Sequence, residues 1–549
     1  MNFAANETAQ KLRGGYYTPH DLAHFAARWI GEIEPRKILE PSCGDGVFIG
    51  ALREAGIGDG AKVTAFELDR AEALKAHRRA KEAKINADVK AEDFLGWAFQ
   101  RMCGEADSFD AVVGNPPFIR YQYLPEAFQR RAELIFAKLG CHFTRHTNAW
   151  VPFVLASISF LRPGGRLAMV LPAELIHVTH AQSLRTYLGN ECRRLVVIDP
   201  EKLWFEDTLQ GAVLLLAEKR RDTSDRAEGL GIYSVKNREF LKRDPSQIFR
   251  APQAINGKTV EGKWTRALLN GKTRALYDEL SEHDDVHSFD DIAEVDVGIV
   301  TGANKFFLVN DSVVKRFGLE NWAHPMFGRS EHCPGVIYDR RQHRANEKAG
   351  NPTNLIWFKS GDERDNDAAR AYIEFGESQN LHTRYKCRVR SPWYSVPSVY
   401  PTEIGMLKRA HHAPRLILNR KKAYTTDTAY RIRTKNLKAS DLVRFFVNPL
   451  TALSAELEGR HYGGGVLELV PSEIEKMLVP VPKRFDGDIA ELDSDMRIHG
   501  ADHVQERHGA RVLRALKLSK AQIDDVIEAW RMLRNRRHRV SSDDENSVD

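Results

Sequence analysis

Asp110-Ala-Val-Val-Gly-Asn-Pro-Pro-Phe118, continuing Ile119-Arg-Tyr-Gln122, is the stretch around which this chain is organised. Asp110 to Val113 reads as a buried parallel strand, and Gly114 frees the backbone to turn sharply and expose Asn115 at the strand end. Pro116 and Pro117 fix φ and remove two N–H donors. Asn115 and the Pro116 carbonyl are left as acceptors on a stiff loop, which the flat ring of Phe118 closes. Acceptors beside an aromatic wall suit an exocyclic amino group on a planar base, because two accepted hydrogen bonds draw its protons out of the ring plane while stacking holds the ring. Taken alone, the same residues equally describe an ordinary strand-ending turn.

The residues preceding this loop weigh against the plain turn. Leu22, Phe25, Ala26 and Trp29 have helical spacing, and Thr18 or Asp21 is placed to cap that helix. Lys37-Ile-Leu-Glu-Pro-Ser-Cys-Gly-Asp-Gly46 reads as a short strand and a small-residue turn leading into a helix from Val47. Gly44 and Gly46 let a ligand approach the backbone there, beside the unpaired N–H groups of the helix N-terminus. A second strand, Val63 to Asp69, carries Glu67 near its carboxyl end, about twenty residues beyond the turn, where a carboxylate can accept both hydroxyls of a ribose. At a third strand end, Asp93 can receive an adenine amino group and Phe94 can wall the ring. Each acid alone is more often a solvated strand-end residue. In this order, before Asn-Pro-Pro-Phe, they form a pattern.

Tyr16-Tyr-Thr-Pro19, Ile38-Leu-Glu-Pro-Ser-Cys-Gly-Asp-Gly46, Phe66-Glu-Leu-Asp69, Ala91-Glu-Asp-Phe94 and Gly114-Asn-Pro-Pro-Phe-Ile-Arg-Tyr-Gln122 resemble the successive motifs of gamma-class DNA adenine-N6 methyltransferases of bacterial restriction–modification systems. The resemblance implies that Thr18, Glu40 and Ser42 hold the methionine part of S-adenosylmethionine, Glu67 its ribose and Asp93 its adenine. It also implies that an aromatic residue seven positions before the alanine opening the last strand packs on a flipped target base. Phe205 precedes Ala212 by that spacing, with Trp204 the competing choice.

Beyond the loop, Asn148 to Leu161 reads as a buried helix ending at Arg162-Pro-Gly-Gly165. Arg166 to Leu171 reads as a strand, and Pro172 to Ile176 as the start of the next helix. Leu195 to Ile198 and Ala212 to Ala217 supply two more strands, expected as an antiparallel edge. Strands alternating with helices give an α/β fold, a doubly wound sheet of the class I, Rossmann-like, S-adenosylmethionine-dependent methyltransferase type. The expected division is a catalytic domain over 14–240, a connector over 241–292 and a mixed α+β target-recognition domain over 293–485. A helical segment over 486–540 and a disordered tail over 541–549 complete it.

Ala293 to Phe307 reads as a strand, a glycine turn and a second strand, and resembles the opening of the family's target-recognition region. From Leu381 to Lys422 basic residues outnumber acids, with Trp393, Tyr394 and Tyr400 among them. Arg384, Arg388, Arg390, Lys408, Arg409, Arg420 and Lys421 are the candidates to contact DNA, since basic side chains neutralise phosphates and arginine reads guanine bidentately; a solvated charged face is the alternative. Gly459 to Val466 looks like the family's closing segment. Ser519-Lys-Ala-Gln522 reads as a capping box for a last helix with Ile523, Val526, Ile527, Trp530 and Leu533 on one face, while Arg534 to Arg539 either touch phosphate or stay wet.

Composition sets outer limits. A chain of 549 residues is too long for one core and suggests roughly three domains. Its net charge of +6 permits an anionic partner without arguing for one. Six scattered cysteines without a Cys-x-x-Cys pair read as reduced thiols, with neither a zinc site nor a disulfide framework. No stretch approaches the ~20 apolar residues a bilayer requires. The expectation is a cytoplasmic, monomeric enzyme that uses S-adenosylmethionine and no metal. Its substrate would be double-stranded DNA, with a separately encoded restriction endonuclease as companion. Cytosine N4, RNA or a protein glutamine remain as alternative substrates, and a non-catalytic DNA-binding subunit as an alternative of another class.

Overall fold

The computed structural model describes residues 17–538 apart from 59, 105–107, 202–203, 205–210, 257–259, 261, 360, 363–365 and 463. Phe205, Arg539 and the tail from Ser541 lie outside the described residues. The chain divides into two compact units, the first running to Leu268 and the second from Leu269 to His538. Residues 241–292, read as a connector, carry a helix at Pro245–Arg250 in the first unit and one at Gly271–Ser281 in the second.

The first unit is built on eight strands: β1 (Lys37–Glu40), β2 (Lys62–Phe66), β3 (Asn86–Lys90), β4 (Phe109–Gly114), β5 (Leu161–Pro172), β6 (Cys192–Pro200), β7 (Ala212–Lys219) and β8 (Gly229–Val235). Their spatial order is β3-β2-β1-β4-β5-β7-β6-β8. β4 is parallel to both β1 and β5, as Asp110 to Val113 suggested. Side chains alternate between two cores on opposite faces. Leu39 and Val112 join one with Trp150 and Leu155; Ile38, Ala111 and Val113 join the other with Phe25 and Trp29. Burial on both faces is why these strands read as continuous apolar runs.

Four expectations need correction. β6 and β7 are not the edge: β7 lies antiparallel between β5 and β6, and β8 adds a parallel strand outside β6. Arg162-Pro-Gly-Gly165 does not separate helix from strand, because β5 already begins at Leu161. Leu161 pairs with Phe109, the register then jumps to Arg166 opposite Ala111, and the intervening residues bulge out with Arg162 bonded back to Asp110. Residues 173–176 form a 3-10 turn, and the helix proper is Gln182–Glu191. Arg185, fully buried, donates to the Leu175 and Val178 carbonyls at 3.0 and 2.9 Å, which holds that turn out of helical register. Finally, neither Thr18 nor Asp21 caps α1 (His20–Gly31), whose N-cap is Pro19. Asp21 sits inside the first turn and accepts from the Leu22 N–H, while Thr18 points elsewhere. The helices that matter for the site are α2 (Val47–Glu54), α3 (Arg70–Glu82) and α4 (Phe94–Cys103), each following a strand of the parallel half.

The second unit centres on a five-stranded sheet. Its strands are β9 (Ala293–Val297), β10 (Ile337–Tyr338), β11 (Ile404–Leu407), β12 (Leu416–Asn419) and β13 (Ala429–Thr434), in the order β9-β13-β11-β12-β10. After β9 the chain runs on beside Thr425–Ala429, where a Cβ at Gly298 would lie 2.0 Å from the Thr426 carbonyl, and it bends at Gly302 with φ of +81°. Asn304–Phe307 is then a short helix and not a second strand, since Thr301 Oγ1 accepts from the Ala303 N–H and its hydroxyl meets Asn304 Oδ1. α5 (Arg340–Lys348) follows β10, and α6 (Lys520–His538) closes the unit. Ser519 and Gln522 form the expected capping box, and Ile523, Val526, Trp530 and Leu533 are buried. Arg536 and Arg537 are not wet. Both are buried, and Arg537 pairs with Glu456 at 2.8 Å with neither side chain more than 1% exposed.

Candidate active site

The carboxyl ends of β1, β2, β3 and β4 deliver the expected residues to one edge of the sheet, the usual place for a ligand in an open α/β fold. Glu67, just past β2, accepts from the Gly44 N–H at 3.0 Å and the Asp69 N–H at 2.8 Å, so it already ties the turn after β1 to the end of β2. The turn requires its glycines. Gly44 and Gly46 have φ of +52° and +83°, and a Cβ on Gly46 would approach the α3 backbone at Ala76 to 2.8 Å.

Asn115 is fixed from two sides. Its Nδ2 donates to Thr18 Oγ1 at 3.2 Å, and Ser42 Oγ donates to its main-chain carbonyl at 3.0 Å. An amide whose nitrogen faces Thr18 turns its oxygen the other way, so the two hydroxyls set the direction of the acceptor. Thr18 and Ser42, expected to hold a cofactor, both bond Asn115 here, Thr18 as acceptor and Ser42 as donor. Pro116 is buried, and Phe118 is half-buried against both cores.

Glu40 is the most demanding group. It is 0% exposed, and among the described residues neither carboxylate oxygen has a hydrogen-bond partner. Burial first, then the neighbouring charges of Asp45 and Glu67, push its carboxyl well above the ordinary range, against a smaller pull from Arg79. Burial likewise raises Glu67, opposed by the Asp69 and Gly44 N–H groups. A buried acid in this state calls for a proton or a cation.

Asp93 caps α4 by accepting from the Gly96 N–H at 2.9 Å, and the same oxygen meets Arg131 at 2.8 Å. Phe94, expected to wall a ring, is 2% exposed and packs into the core against Phe66 and Phe153. The apolar surface at this edge comes from Leu68, 74% exposed directly after Glu67, which the sequence reading passed over. An exposed leucine at a strand end is the signal that could have found it. Also missed were Asn148 and Glu174. Asn148 Oδ1 accepts from the Tyr121 N–H at 3.1 Å and its Nδ2 donates to Glu174 at 3.0 Å, bracing the loop that follows Phe118.

The seven candidate DNA residues divide by environment. Arg384 and Arg388 are exposed, as is Arg420; Lys421 is half-buried. Arg390 donates to the Val300 and Thr301 carbonyls, and Lys408 and Arg409 pair with Glu468 at 3.2 and 2.6 Å. Trp393 and Tyr394, read among the cations, are buried in the core of the second unit.

Residues 61–204 match the family model "Eco57I restriction-modification methylase", and residues 261–513 match "Type II methyltransferase M.Eco57I, C-terminal domain". Over these stretches the chain is similar to restriction–modification methyltransferases. It is 24% identical over 480 residues to the type II methyltransferase M.AccI of Acinetobacter calcoaceticus, covering 84% of each chain. To M.XamI of Xanthomonas campestris pv. amaranthicola it is 23% identical over 481 residues, covering 85% of each. Its fold is like that of the type IIL restriction-modification enzyme MmeI in complex with DNA, with a TM-score of 0.57 at 9% identity over 94% of this chain and 75% of that one. Among the described residues no three His, Cys, Asp or Glu side chains are grouped to hold a metal ion, and no helix is long and apolar enough to cross a membrane.

Proposed function

We propose that this chain is a site-specific DNA methyltransferase that methylates N6 of a flipped adenine in double-stranded DNA, with S-adenosylmethionine as methyl donor. The observation that carries the reading is Asn115 braced by Thr18 and Ser42 at the end of β4, beside a turn and strand end bearing the acids Glu40 and Glu67. S-adenosylmethionine supplies an electrophilic sulfonium methyl group when bound. Glu40 would hold its ammonium, Glu67 its ribose hydroxyls, Asp93 its adenine amino group, and Leu68 would cover the adenine face. The orphaned carboxylate of Glu40 fits such a cation, since pairing would relieve its burial cost.

Asn115 Oδ1 and the Pro116 carbonyl accept hydrogen bonds from the two N6–H groups, which localises the lone pair out of the ring plane, and Phe118 stacks on the base. Phe205, assigned by spacing alone and outside the described residues, would pack on the same base. After transfer the surplus proton leaves to solvent. Catalysis then rests on positioning and acceptor placement, without a dedicated general base. Arg384, Arg388, Arg420 and Lys421 are exposed enough to meet phosphate, whereas Arg390, Lys408 and Arg409 would act by shaping the unit that carries them. Protection of host DNA beside a separate restriction endonuclease is the role that fits.

Incubation with methyl-labelled S-adenosylmethionine and duplex DNA, followed by digestion to nucleosides, tests this directly. The expected product is N6-methyldeoxyadenosine, absent with Asn115→Ala although that variant still binds cofactor. Full activity of Asn115→Ala would refute the assignment. N4-methyldeoxycytidine would move the reaction to the rival base, whose amino group fits the same acceptors, and label appearing in RNA or in glutamine instead would reject DNA as substrate.

A further inference from the structure

We infer that α5 and the turn Arg420–Lys422 together form a phosphate-tracking surface for duplex DNA, separate from the 384–388 segment. This rests on the reading of the chain as a DNA methyltransferase. β10 and β12 are parallel neighbours with Tyr338 opposite Asn419, so the segments leaving both strands emerge side by side. The Lys421 N–H donates to the Tyr338 carbonyl at 3.0 Å, folding the turn over the end of β10 one residue before the cap of α5. Lys421 also contributes to holding the pKa of His343, on α5, at about 4, after the larger effect of burial.

Both supports are rigid. The turn is pinned by buried Asn419, whose Nδ2 donates to the Thr402 and Ala423 carbonyls at 2.8 and 2.7 Å. The inner face of α5 is pinned by His343, bonded to the Tyr338 hydroxyl at 2.8 Å, and by Asn346, which donates to the His332 carbonyl at 2.8 Å. Arg340, Arg341 and Arg344 are left on its exposed face, and Arg420 and Lys422 are exposed on the turn.

None of these five cations, nor Lys421, forms an ion pair among the described residues. Of the nearby acids, Asp339 caps the helix by accepting from the Gln342 N–H, and Glu347 meets His343, on the helix's inner face, at 3.1 Å. Arg340 and Arg341 occupy the first turn, where a positive charge opposes the helix dipole, and Arg340 and Arg344 are like charges one turn apart. Six cations are thus held against their mutual repulsion on a firm support, none of them in an ion pair among the described residues. Arg390, Lys408, Arg409 and Arg415, from the same basic stretch of sequence, are instead engaged internally. A regularly charged polyanion such as the backbone of duplex DNA supplies what the six lack.

The test is the full chain carrying Arg340→Gln, Arg344→Gln and Lys421→Gln, compared with a control carrying Arg514→Gln, Lys517→Gln and Lys520→Gln, three exposed cations in and between the last two helices. Fluorescence anisotropy with labelled duplex between 50 and 200 mM salt reads the affinity. The triple variant is expected to bind roughly tenfold or more weakly at 150 mM, uniformly across sequences, with a slope of log K against log salt shallower by about three. S-adenosylmethionine binding and the melting temperature stay as in the parent, and the control keeps the parental slope. An unchanged slope and affinity in the triple variant, while the parent binds DNA with normal salt dependence, overturns this surface and leaves the methyltransferase reading standing. A parent chain that shows no salt-dependent DNA binding overturns both.

Discussion

Glu40→Gln should make the cofactor-free protein more stable at neutral pH and the cofactor-bound protein less so. Glu40 is 0% exposed and its carboxylate has no partner among the described residues. Leaving a buried polar group without partners costs about 1–3 kcal/mol, more when it is charged. The amide of glutamine keeps the shape and the cost of an unpartnered polar group but removes the charge, so the gain is the extra cost of ionisation alone, on the order of 1–3 kcal/mol at pH 8, or roughly 2–10 °C in the melting of a unit this size. The sign follows from the direction of the shift. Burial and the acids at 45 and 67 raise the Glu40 carboxyl in the folded state, so that state binds more protons than the unfolded chain across the interval. Its contribution is therefore most favourable below the ordinary carboxylate range and is lost as pH rises through the raised value. The advantage of Glu40→Gln should vanish near pH 4 and be complete in alkali. Saturating S-adenosylmethionine should reverse the order, because a ligand that binds the folded state adds stability in proportion to the logarithm of its saturation and the variant would bind roughly tenfold or more weakly. Thermal melts of both proteins at pH 4 and pH 8, with and without cofactor, give the whole pattern. A variant less stable than the parent without cofactor at pH 8 would refute the reasoning, since it would mean that the carboxylate is already compensated.

Thr18→Val removes the acceptor for Asn115 Nδ2 at nearly constant volume, and should lower kcat about 10–100-fold while leaving the cofactor Kd within a factor of a few, as steady-state kinetics and equilibrium binding would show. Asp110→Asn should destabilise the first unit by about 1–3 kcal/mol at pH 7. Although burial opposes it, the Arg162 side chain and the Lys37 and Arg36 N–H groups hold the Asp110 carboxyl below its ordinary value. That stability is present above the unfolded carboxylate range and lost as pH falls through the lowered value, so urea titrations of parent and variant should converge in acid. Arg537→Met should cost about 3–5 kcal/mol by stranding Glu456, whose carboxyl is held at about 2 by Arg537 against the effect of burial. Replacing both partners with apolar residues should recover most of that loss, and a failure to recover would show that the ion pair itself, and not relief of a stranded charge, stabilises the closing helix.

The first unit was legible because its signals are local. A parallel strand buried on both faces is a run of apolar residues, a tight βα turn needs its glycines, and a strand-end acid follows its strand directly; Ile38 to Gly46, Glu67 and Asn115 could all be read in that way. What stayed hidden depends on partners distant in sequence. Thr18 has the composition of a helix cap, yet its hydroxyl serves Asn115, 97 residues away. Asn148 and Glu174 brace the loop after Phe118 from 27 residues and further along the chain, and neither carries a motif. The second unit was harder for the same reason in charge rather than shape. Sequence shows where cations are dense but not which are spent: Arg390, Arg415 and Arg537 are consumed by carbonyls and one buried acid, while Arg340, Arg341 and Arg344 keep their charge on the surface. An arginine near a recognition sheet is a candidate for DNA only after the fold's own acceptors have been counted, and that count falls most heavily on residues a linear scan ranks first.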